Sequence, residues 1–387
     1  MRVRVHNRVL ALLWLLGLAA AVGVACLTHA PNRLVTGTGI RFGSVLHGAN
    51  LLVLLPGLWL GLAAFLRTTW RVQVSVLIAA TLWLAGLVYI GGAEATRLAE
   101  VDSAYSRTSF GGGFWIMLTL GWLIAADALS RLKLKPVAAV LVGLAVLAPL
   151  VAQLASGHLA NLSVLKEYAN RQDVFNDALS RHLEIVAATL IPTLLIGVPL
   201  GVLAYRRQGV RPPLFGVLNV IQTVPSIALF GLLIAPLAAL AAHVPVLAQW
   251  GIGGIGTAPA IIALTLYSLL PMVRSTTAGL EQVPASVVDA ARGMGLSARQ
   301  IFWRVEVPLA LPVLLAGLRI TTVQAIGLTT VAALIGAGGF GAIMFQGLLS
   351  SAIDLVLLGV APVIALAVAA DALFKLLVAL VAFGEKR

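Results

Sequence analysis

The polar segment at residues 275–308 reads STTAGLEQVPASVVDAARGMGLSARQIFWRVEVP and separates two apolar stretches, 258–273 and 313–335. Pro284 suits the first turn of a helix, because that turn does not use the backbone N–H that proline lacks. Apolar side chains then recur at helical spacing, and Gly293 is a residue that commonly ends a helix. The first half of the segment is therefore predicted to form a short amphipathic helix.

A second short helix is predicted in the other half of the segment. Ser297, followed three residues later by Gln300, forms a capping box, and Pro308 is expected to end this helix. A turn at Gly295 joins the two. DNA-binding helix-turn-helix motifs have the same outline, but here both ends are tethered to apolar stretches within a few residues. We therefore favour a docking surface for a soluble partner and expect no nucleic-acid contact.

The composition indicates that the chain is solvated by lipid. Of its 387 residues 60% are hydrophobic and 10% are charged, and the mean hydropathy is +1.03. So few charged side chains cannot cover a soluble core of this size. The single cysteine, Cys26, excludes an internal disulfide, and the six dispersed histidines offer no metal site. We predict an all-α polytopic membrane protein with no metal site and no catalytic residues.

About ten apolar stretches are long enough to cross roughly 30 Å of hydrocarbon. They lie at 9–27, 44–66, 72–92, 110–129, 136–155, 184–204, 214–240, 258–273, 313–335 and 354–380. The first also fits a cleavable signal peptide, because arginines precede it and small residues at 19–21 lie near its end. A lipoprotein site at Cys26 is disfavoured, since Gly23 stands where such sites carry a large aliphatic residue.

The net charge of +12 is interpreted as a topology signal, since Lys and Arg in short loops stay on the cytoplasmic side. With a cytoplasmic N-terminus, most basic residues fall inside: Arg2, Arg4, Arg8, Arg67, Arg71, Arg131, Lys133, Lys135, Arg206, Arg207, Arg211, Arg274, Arg292, Arg299, Arg304, Lys375, Lys386 and Arg387. The smaller external set is Arg33, Arg41, Arg97, Arg107, Lys166, Arg171 and Arg181. Both termini are therefore predicted to be cytoplasmic.

The two halves of the chain differ in character. Residues 1–160 form a hydrophobic extension of about five spans without clustered His, Asp, Glu or Cys, which we interpret as a packing or insertion module. An external polar segment is predicted at 161–183. Residues 184–380 carry the recognisable motifs and include the cytoplasmic segment 275–308.

Charged residues within or beside the spans are predicted to pair. Asp127 lies four residues before Arg131, and Asp371 lies four residues before Lys375, which is the spacing of helical ion pairs. Arg319 is a cation inside a span, where an unpaired charge costs about 2.5–3.5 kcal/mol. A structural partner near the inner end of the spans is favoured over direct contact with a substrate carboxylate.

The stretch 336–341 reads GAGGFG and matches the dinucleotide pattern G-x-G-x-x-G. Such a site needs a preceding strand, which is not predicted here, so we interpret the glycines as a break at the external end of a span. The phosphate-binding pattern G-x-x-x-x-G-K-[ST] does not occur in the sequence. No cofactor is therefore expected on this chain, and ATP hydrolysis with its Mg²⁺ is expected on a partner.

Polar residues interrupt three of the apolar stretches. They are Gln222, Thr223, Pro225 and Ser226 in the seventh, Tyr267 and Ser268 in the eighth, and Thr322 and Gln324 in the ninth. Two interpretations stay open: hydrogen bonds between helices, or the lining of a translocation path. Thr321, Thr322 and Gln324 fall around the helix rather than on one face, so some of them must pack.

Asp289-Ala290-Ala291, Gly295 and Val305-Glu306-Val307-Pro308 form a spaced pattern within the segment 275–308. This pattern resembles the EAA loop of ABC importer permeases, with Asp289 in place of the usual Glu and with valines in place of the usual Ile and Leu. The resemblance implies that Asp289, Ala290, Ala291, Gly295, Val305 and Pro308 couple the chain to an ATPase.

Four stretches extend this resemblance over about 180–380. They read VIQTVPS at 220–226, LYSLLP at 266–271, AARGMG at 290–295 and ALIGAGGFG at 333–341. Together they are similar to permease subunits of osmoprotectant importers, the glycine betaine, carnitine and choline group.

The resemblance implies a five-helix type I permease core at 184–380 in the bacterial cytoplasmic (inner) membrane. It also implies a second permease chain, the same or homologous, two cytoplasmic ATPase subunits and a periplasmic or tethered solute-binding protein. The expected function is import of a small osmoprotectant such as glycine betaine. Permeases for amino acids share the same loop, so the solute stays open.

Two other functional classes have less support. An ion-coupled secondary transporter needs carboxylates near the membrane centre, whereas Asp127, Asp354 and Asp371 lie near span ends. A membrane enzyme needs a cluster of catalytic side chains, which the sequence does not offer. Aromatic residues make up 6% of the chain and do not cluster, so recognition of a quaternary ammonium group is expected on the binding protein.

Overall fold

The computed structural model describes residues 4–32, 35–102, 105–246 and 251–384. Four basic residues used to predict the orientation, Arg2, Arg33, Lys386 and Arg387, lie outside the described residues. The chain forms two compact units, Met1–Asn170 and Arg171–Arg387.

The first unit is a helical bundle with a small sheet. Its helices are α1 (Arg8–Gly23), α2 (Leu54–Ala63), α3 (Trp70–Val101), α4 (Gly112–Arg131), α5 (Pro136–Ala155) and α6 (Ser163–Asn170). Short 3-10 turns at Phe42–Val45 and Gly48–Val53 precede α2. Buried apolar residues of α1 to α4, with Leu10, Leu60 and Leu84 among them, form the core of the bundle.

The first unit also contains a small sheet, which the prediction of an all-α chain did not include. Strands β1 (Ala25–Ala30), β2 (Thr38–Arg41) and β3 (Arg107–Phe110) pair antiparallel in the order β2-β1-β3. The expected span 9–27 therefore ends as a helix at Gly23, and its last residues belong to the central strand. Gly113 at the start of α4 allows the chain just before β1 to pass close by. A Cβ on Gly113 would lie only 2.6 Å from the carbonyl oxygen of Val24.

The first unit also pairs histidines with carboxylates that are distant in sequence. His29 lies 2.9 Å from the hydroxyl of Thr108 and 3.2 Å from Asp102. Glu94, which is 2% exposed, pairs with Arg97 at 2.6 Å and with His47 at 3.2 Å. These pairs were missed in the sequence, where the residues are scattered. Within the described residues no group of three or more metal-ligating side chains forms.

The regular elements described in the second unit are all helices or helical turns. Its helices are α7 (Gln172–Arg206), α8 (Arg211–Thr223), α9 (Ser226–His243), α10 (Thr257–Glu281), α11 (Ala285–Gly293), α12 (Ala298–Ile301), α13 (Val307–Ala332), α14 (Phe340–Leu349) and α15 (Ile353–Gly384). A π-turn at Phe302–Glu306 joins α12 to α13, and a 3-10 turn at Ala333–Ile335 follows α13.

The lengths of the helices modify the list of expected spans. Among the described residues, eight helices are long and apolar enough to cross a membrane. The expected spans 9–27 and 44–66 contain shorter apolar helices, and the expected span 214–240 is divided into α8 and α9. The polar stretch 161–183 is largely helical, because it contains α6 and the first turns of α7.

Small residues bring α7, α10 and α13 close together. The hydroxyl of Thr277 on α10 donates to the carbonyl oxygen of Gly201 on α7 at 3.1 Å. A Cβ on Gly279 of α10 would lie 3.1 Å from the carbonyl oxygen of Ala310 on α13. Close approach of backbones through small residues is typical of helices that pack in membranes. The three helices form the frame on which the segment 275–308 is mounted.

Candidate functional site: the segment 275–308 and its connections

The first predicted helix is confirmed as α11, with Pro284 as its N-terminal flanking residue. The chain leaves the helix through Gly295, whose φ of +82° is a left-handed conformation that side chains disfavour. The backbone N–H of Gly295 donates to the carbonyl oxygen of Arg292 at 3.0 Å, and that of Leu296 donates to Ala291 at 3.2 Å. Gly295 therefore allows the chain to reverse direction after α11.

The capping box is also confirmed at the start of α12. The backbone N–H of Gln300 donates to the hydroxyl of Ser297 at 3.4 Å, and that of Ser297 donates to the side chain of Gln300 at 2.8 Å. The expected end at Pro308 is wrong, because the chain continues through the π-turn into α13. Pro308 lies in the first turn of α13, where the missing N–H is not needed.

The segment presents an exposed surface. Asp289 and Arg292 pair at 2.9 Å while both side chains are about two-thirds exposed. Met294 is 73% exposed and Trp303 is 60% exposed. Large exposed apolar side chains beside charges are a feature of docking surfaces. We call Asp289, Arg292, Met294 and Trp303 the exposed knob.

The residues of the EAA-like pattern are divided between this surface and the interior of the segment. Ala291 is 2% exposed and packs inside, while Val305 is half-buried. Asp289, Ala290, Gly295 and Pro308 are exposed. Their role in coupling stays a prediction.

Contacts from α7 hold the π-turn from the side. The guanidinium group of Arg206 lies 4.7 Å from the ring centroid of Phe302, and the hydroxyl of Tyr205 lies 3.5 Å from Glu306. Sequence reasoning missed Tyr205, Phe302 and Glu306 as a group. No local sequence pattern links these residues, because α7 and the π-turn are about 100 residues apart in the chain.

Two of the predicted path residues, Gln222 and Tyr267, come together where α8 ends and α9 begins. The side-chain amide of Gln222 donates to the carbonyl oxygen of Tyr267 at 2.8 Å. The Tyr267 hydroxyl donates to the carbonyl oxygen of Val224. These two bonds fasten the break at Val224 and Pro225 to α10.

The other predicted path residues have mixed surroundings. Thr223 and Pro225 are exposed, Ser226 and Gln324 are half-buried, and Ser268 and Thr322 are buried. The Thr322 hydroxyl donates to the carbonyl oxygen of Leu318 at 2.8 Å, and that of Thr321 donates to Gly317 at 3.0 Å. Packing therefore accounts for the two threonines, as expected for part of this group. Assignment of the group to a solute path stays a prediction.

The glycine stretch forms the predicted break after α13. Gly336, Gly338 and Gly339 all have positive φ, and α14 starts directly after them. The chain that precedes these glycines is helical rather than a strand, which agrees with the exclusion of a dinucleotide site.

A buried histidine packs against this glycine turn. His182 of α7 is fully buried, and its Nε2–H donates to the carbonyl oxygen of Ile326 on α13 at 3.1 Å. A Cβ on Gly339 would lie 3.2 Å from Nδ1 of His182. Sequence reasoning missed His182, whose one signal was a lone histidine at the edge of an apolar stretch.

The predicted charge pairs near the span ends are confirmed. Asp371 lies 2.7 Å from Lys375, and Asp127 lies 2.7 Å from Arg131. The partner of Arg319 is Asp371 at 3.6 Å, so one carboxylate serves two cations. This arrangement supplies the structural partner that Arg319 was expected to need.

Comparison with known proteins follows the division into two units. Residues 6–165 match the family described as "ABC transporter permease YehY, N-terminal domain". Residues 194–382 match the family described as "Binding-protein-dependent transport system inner membrane component". Both descriptions refer to membrane components of transport systems.

Curated relatives define the family further. The chain is 41% identical over 191 residues to the osmoprotectant import permease protein OsmW of Salmonella typhimurium, covering 49% of this chain and 84% of the relative. It is 39% identical to the carnitine transport permease protein OpuCB of Listeria monocytogenes, with 49% and 80% covered. It is 36% identical to the choline transport system permease protein OpuBB of Bacillus subtilis, also with 49% and 80% covered.

One solved structure that resembles part of this chain is an inward-facing conformation of the MetNI methionine ABC transporter. It is 23% identical, with 53% of this chain and 97% of that chain covered, and the TM-score is 0.45. On the strength of the curated relatives, the chain belongs to the ABC importer permease family that contains the osmoprotectant import permeases. The predicted polytopic permease fold is thereby confirmed.

Proposed function

We propose that this chain is the membrane subunit through which an ABC importer moves a small quaternary ammonium osmoprotectant, such as glycine betaine, across the bacterial cytoplasmic membrane. The observation that carries the proposal is the exposed knob between α10 and α13, which joins the EAA-like pattern to the permease helices. The names of the relatives, which refer to osmoprotectant, carnitine and choline transport, support this choice of solute.

Energy for transport comes from separate subunits in this proposal. The sequence has no G-x-x-x-x-G-K-[ST] pattern to hold a nucleotide phosphate, so ATP and Mg²⁺ bind to two cytoplasmic ATPase subunits. The exposed knob docks on these subunits. A second permease chain completes the path, and a periplasmic or tethered binding protein delivers the solute.

The basic residues support the proposed orientation, with both termini and the exposed knob on the cytoplasmic side. Among the described basic residues, Arg206 ends α7, and Arg292, Arg299 and Arg304 lie in the segment 275–308 itself. The glycine turn at 336–339 is then at the external end. Gln222 and Tyr267 lie at a helix break, where polar side chains are tolerated along a solute path.

The transport mechanism proposed here is alternating access. ATP binding brings the ATPase subunits together, and the knob passes that movement to the helices. A low content of aromatic residues favours recognition of the ammonium group by the binding protein, with a path of low affinity through the permease.

Uptake by proteoliposomes tests the function directly. The full chain is reconstituted with its ATPase and binding protein, and uptake of labelled glycine betaine, choline and carnitine is measured with and without ATP. We expect ATP-dependent uptake of at least one of these solutes that persists when a proton uncoupler is added. Uptake that follows an ion gradient without ATP, or ATP-dependent uptake of an amino acid alone, would reject the proposal.

A charge reversal tests the docking surface separately. Asp289→Lys should weaken capture of the ATPase and reduce uptake, because it removes a carboxylate from the knob and places a cation beside Arg292. Gln282→Lys places the same side chain, with a charge change of one unit instead of two, at an exposed residue that precedes α11 and serves as the control. Equal capture and uptake in the two variants would reject the docking role of Asp289.

A further inference from the structure

The π-turn at Phe302–Glu306 stands between the exposed knob and the long helix α13. In this turn the backbone N–H of Val307 donates to the carbonyl oxygen of Phe302, five residues earlier. Such wide turns inside helices are rare and are frequently found at functional sites. The π-turn provides a second connection between the knob and the helices of the unit, besides the chain itself.

That connection comes from the last two residues of α7 before Arg207. Arg206 places its guanidinium group 4.7 Å from the ring centroid of Phe302, which is within the range of a cation–π contact. Tyr205 places its hydroxyl 3.5 Å from Glu306. Phe302 and Glu306 are the first and last residues of the π-turn, so adjacent residues of α7 hold both of its ends. We call these four residues the lateral clamp.

Helix α7 extends from the lateral clamp to the opposite end of the unit. With 35 residues it is about 50 Å long at the usual rise of a helix. Near its other end, His182 donates to the carbonyl oxygen of Ile326 and packs against Gly339 and the ring of Phe340. The same helix thus contacts the π-turn at one end and the glycine turn at the other.

Close packing along its length prevents α7 from sliding freely against its neighbours. A Cβ on Gly197 would lie 3.0 Å from the side chain of Met272 on α10. The Thr277 hydroxyl bonds to the carbonyl oxygen of Gly201. Packed helices move as bodies rather than deform continuously, so a displacement at one end of α7 reaches its other end.

We infer that Tyr205 and Arg206 are positioning residues that make α7 follow the exposed knob, so that movement of the knob reaches the glycine turn at 336–339. This inference rests on the proposed function, because it assumes that the knob is driven by an ATPase. Without the clamp, the knob keeps its covalent attachments to α10 and α13. The knob can then move relative to α7, so that α7 does not follow it.

A role in coupling and a role in stability have different consequences for transport. A contact that serves stability alone lowers the amount of assembled complex but leaves the number of solutes moved per ATP unchanged. A contact that transmits movement lowers the number of solutes moved per ATP in the complexes that do assemble. The ratio of uptake to ATP hydrolysis is therefore the decisive quantity.

The test uses the full chain reconstituted with its ATPase and binding protein, with labelled glycine betaine as the probe. Arg206→Gln and Phe302→Leu should each lower uptake per ATP by about 2- to 5-fold, the size expected for loss of an exposed cation–π contact. The double variant should be no worse than either single variant, because both remove the same contact. Arg206→Lys and Phe302→Tyr keep a cation and a ring, so they should retain most of the coupling.

Arg207→Gln is the matched control, since it removes the same charge from the exposed neighbour of Arg206. It should leave the ratio at the wild-type value. A wild-type ratio in both Arg206→Gln and Phe302→Leu would overturn the inference. If either variant assembles poorly, Tyr205→Phe decides instead, because it removes a single oxygen atom, and an unchanged ratio in that variant would also overturn it.

A second readout does not depend on the solute. Spin labels on Val174→Cys and Leu349→Cys report the distance between the outer part of α7 and α14, since both positions are exposed. ATP should change this distance in the otherwise wild-type chain and should change it less when Arg206→Gln is added. A change of equal size in both would overturn the inference. If ATP changes the distance as expected while none of the three solutes is taken up, the proposed solute fails and the inference stands.

Discussion

The hydroxyl of Tyr267 on α10 donates to the carbonyl oxygen of Val224, in the break between α8 and α9. The bond closes a reciprocal pair, because the side chain of Gln222 donates to the carbonyl oxygen of Tyr267 at 2.8 Å. A helix break in a membrane needs such partners, since lipid offers none to the free backbone groups.

Loss of the Tyr267 hydroxyl should destabilise this break. Tyr267→Phe is expected to lower the free energy of unfolding by about 1 kcal/mol, because the ring still packs but one hydrogen bond is lost. Thermal unfolding of the purified chain in detergent measures the effect. Tyr105→Phe is the matched control, since Tyr105 is 79% exposed. The same melting temperature in both variants would contradict the role of the bond.

The turn after α11 should require glycine at one position and tolerate alanine at another. Gly295→Ala is expected to cost roughly 1–2 kcal/mol, because residue 295 has a φ of +82°. Gly293→Ala is the control, since residue 293 lies within α11 and a Cβ there meets no atom within 4 Å. It should be neutral or slightly stabilising.

Hydrogen exchange of the backbone amides in 285–301 distinguishes the two glycines. We expect faster exchange across this segment in Gly295→Ala and unchanged exchange in Gly293→Ala. Faster exchange of equal size in both would mean that the conformation at residue 295 is not what limits the turn.

The pair formed by Arg319 and Asp371 should contribute to structure rather than to solute binding. Arg319→Gln leaves Asp371 paired with Lys375, so the free energy of unfolding should change by less than about 1 kcal/mol and uptake should persist. Asp371→Asn should be more harmful, since it leaves both cations without their carboxylate. Thermal unfolding and uptake are measured for both. A stable Arg319→Gln variant that has lost uptake would instead indicate direct contact with the solute.

The thiol of Cys26 should make stability depend on pH in the alkaline range. Burial in β1, where Cys26 is 2% exposed, raises the pKa of this thiol from 9.0 to about 12. The folded chain therefore favours the protonated thiol, and this contribution is complete below pH 9 and is lost as pH rises from 9 to 12. The loss amounts to about 1.4 kcal/mol per pH unit within that window.

Unfolding measured across this range in the wild type and in Cys26→Ala checks the prediction. Other groups also titrate there, but they are the same in both chains, so the difference isolates the thiol. The wild type should lose stability more steeply than Cys26→Ala above pH 9. Parallel curves would contradict it. The buried thiol should also resist alkylation by maleimide at neutral pH until the chain is unfolded.

The features that the sequence predicted correctly are those decided by short spacings. The capping box of Ser297 and Gln300 and the ion pair of Asp127 and Arg131 each lie within one helical turn. The backbone of a helix brings such residues together wherever the helix is placed. Most of the apolar stretches were also found, because the thickness of a membrane sets the length of a span, although 214–240 is divided into two helices.

The prediction for Pro308, which rested on a local preference, was wrong. Proline ends many helices, and that expectation failed because the helical path continues around it through the π-turn. The end of the expected span 9–27 was wrong for a related reason. Its residues became the central strand, with partners at Thr38–Arg41 and Arg107–Phe110 that no local pattern links to them.

By itself the sequence determined that this chain resides in a membrane, where most of its apolar spans lie along the chain, and which segment stands exposed between two of them. These properties follow from hydropathy and from contacts within single turns. The tertiary structure alone decided that Arg206 meets Phe302, that His182 meets Ile326 and that Tyr267 secures the break at Val224. Such contacts depend on how separate helices pack, and the small residues that permit close packing do not specify which helix will be the neighbour.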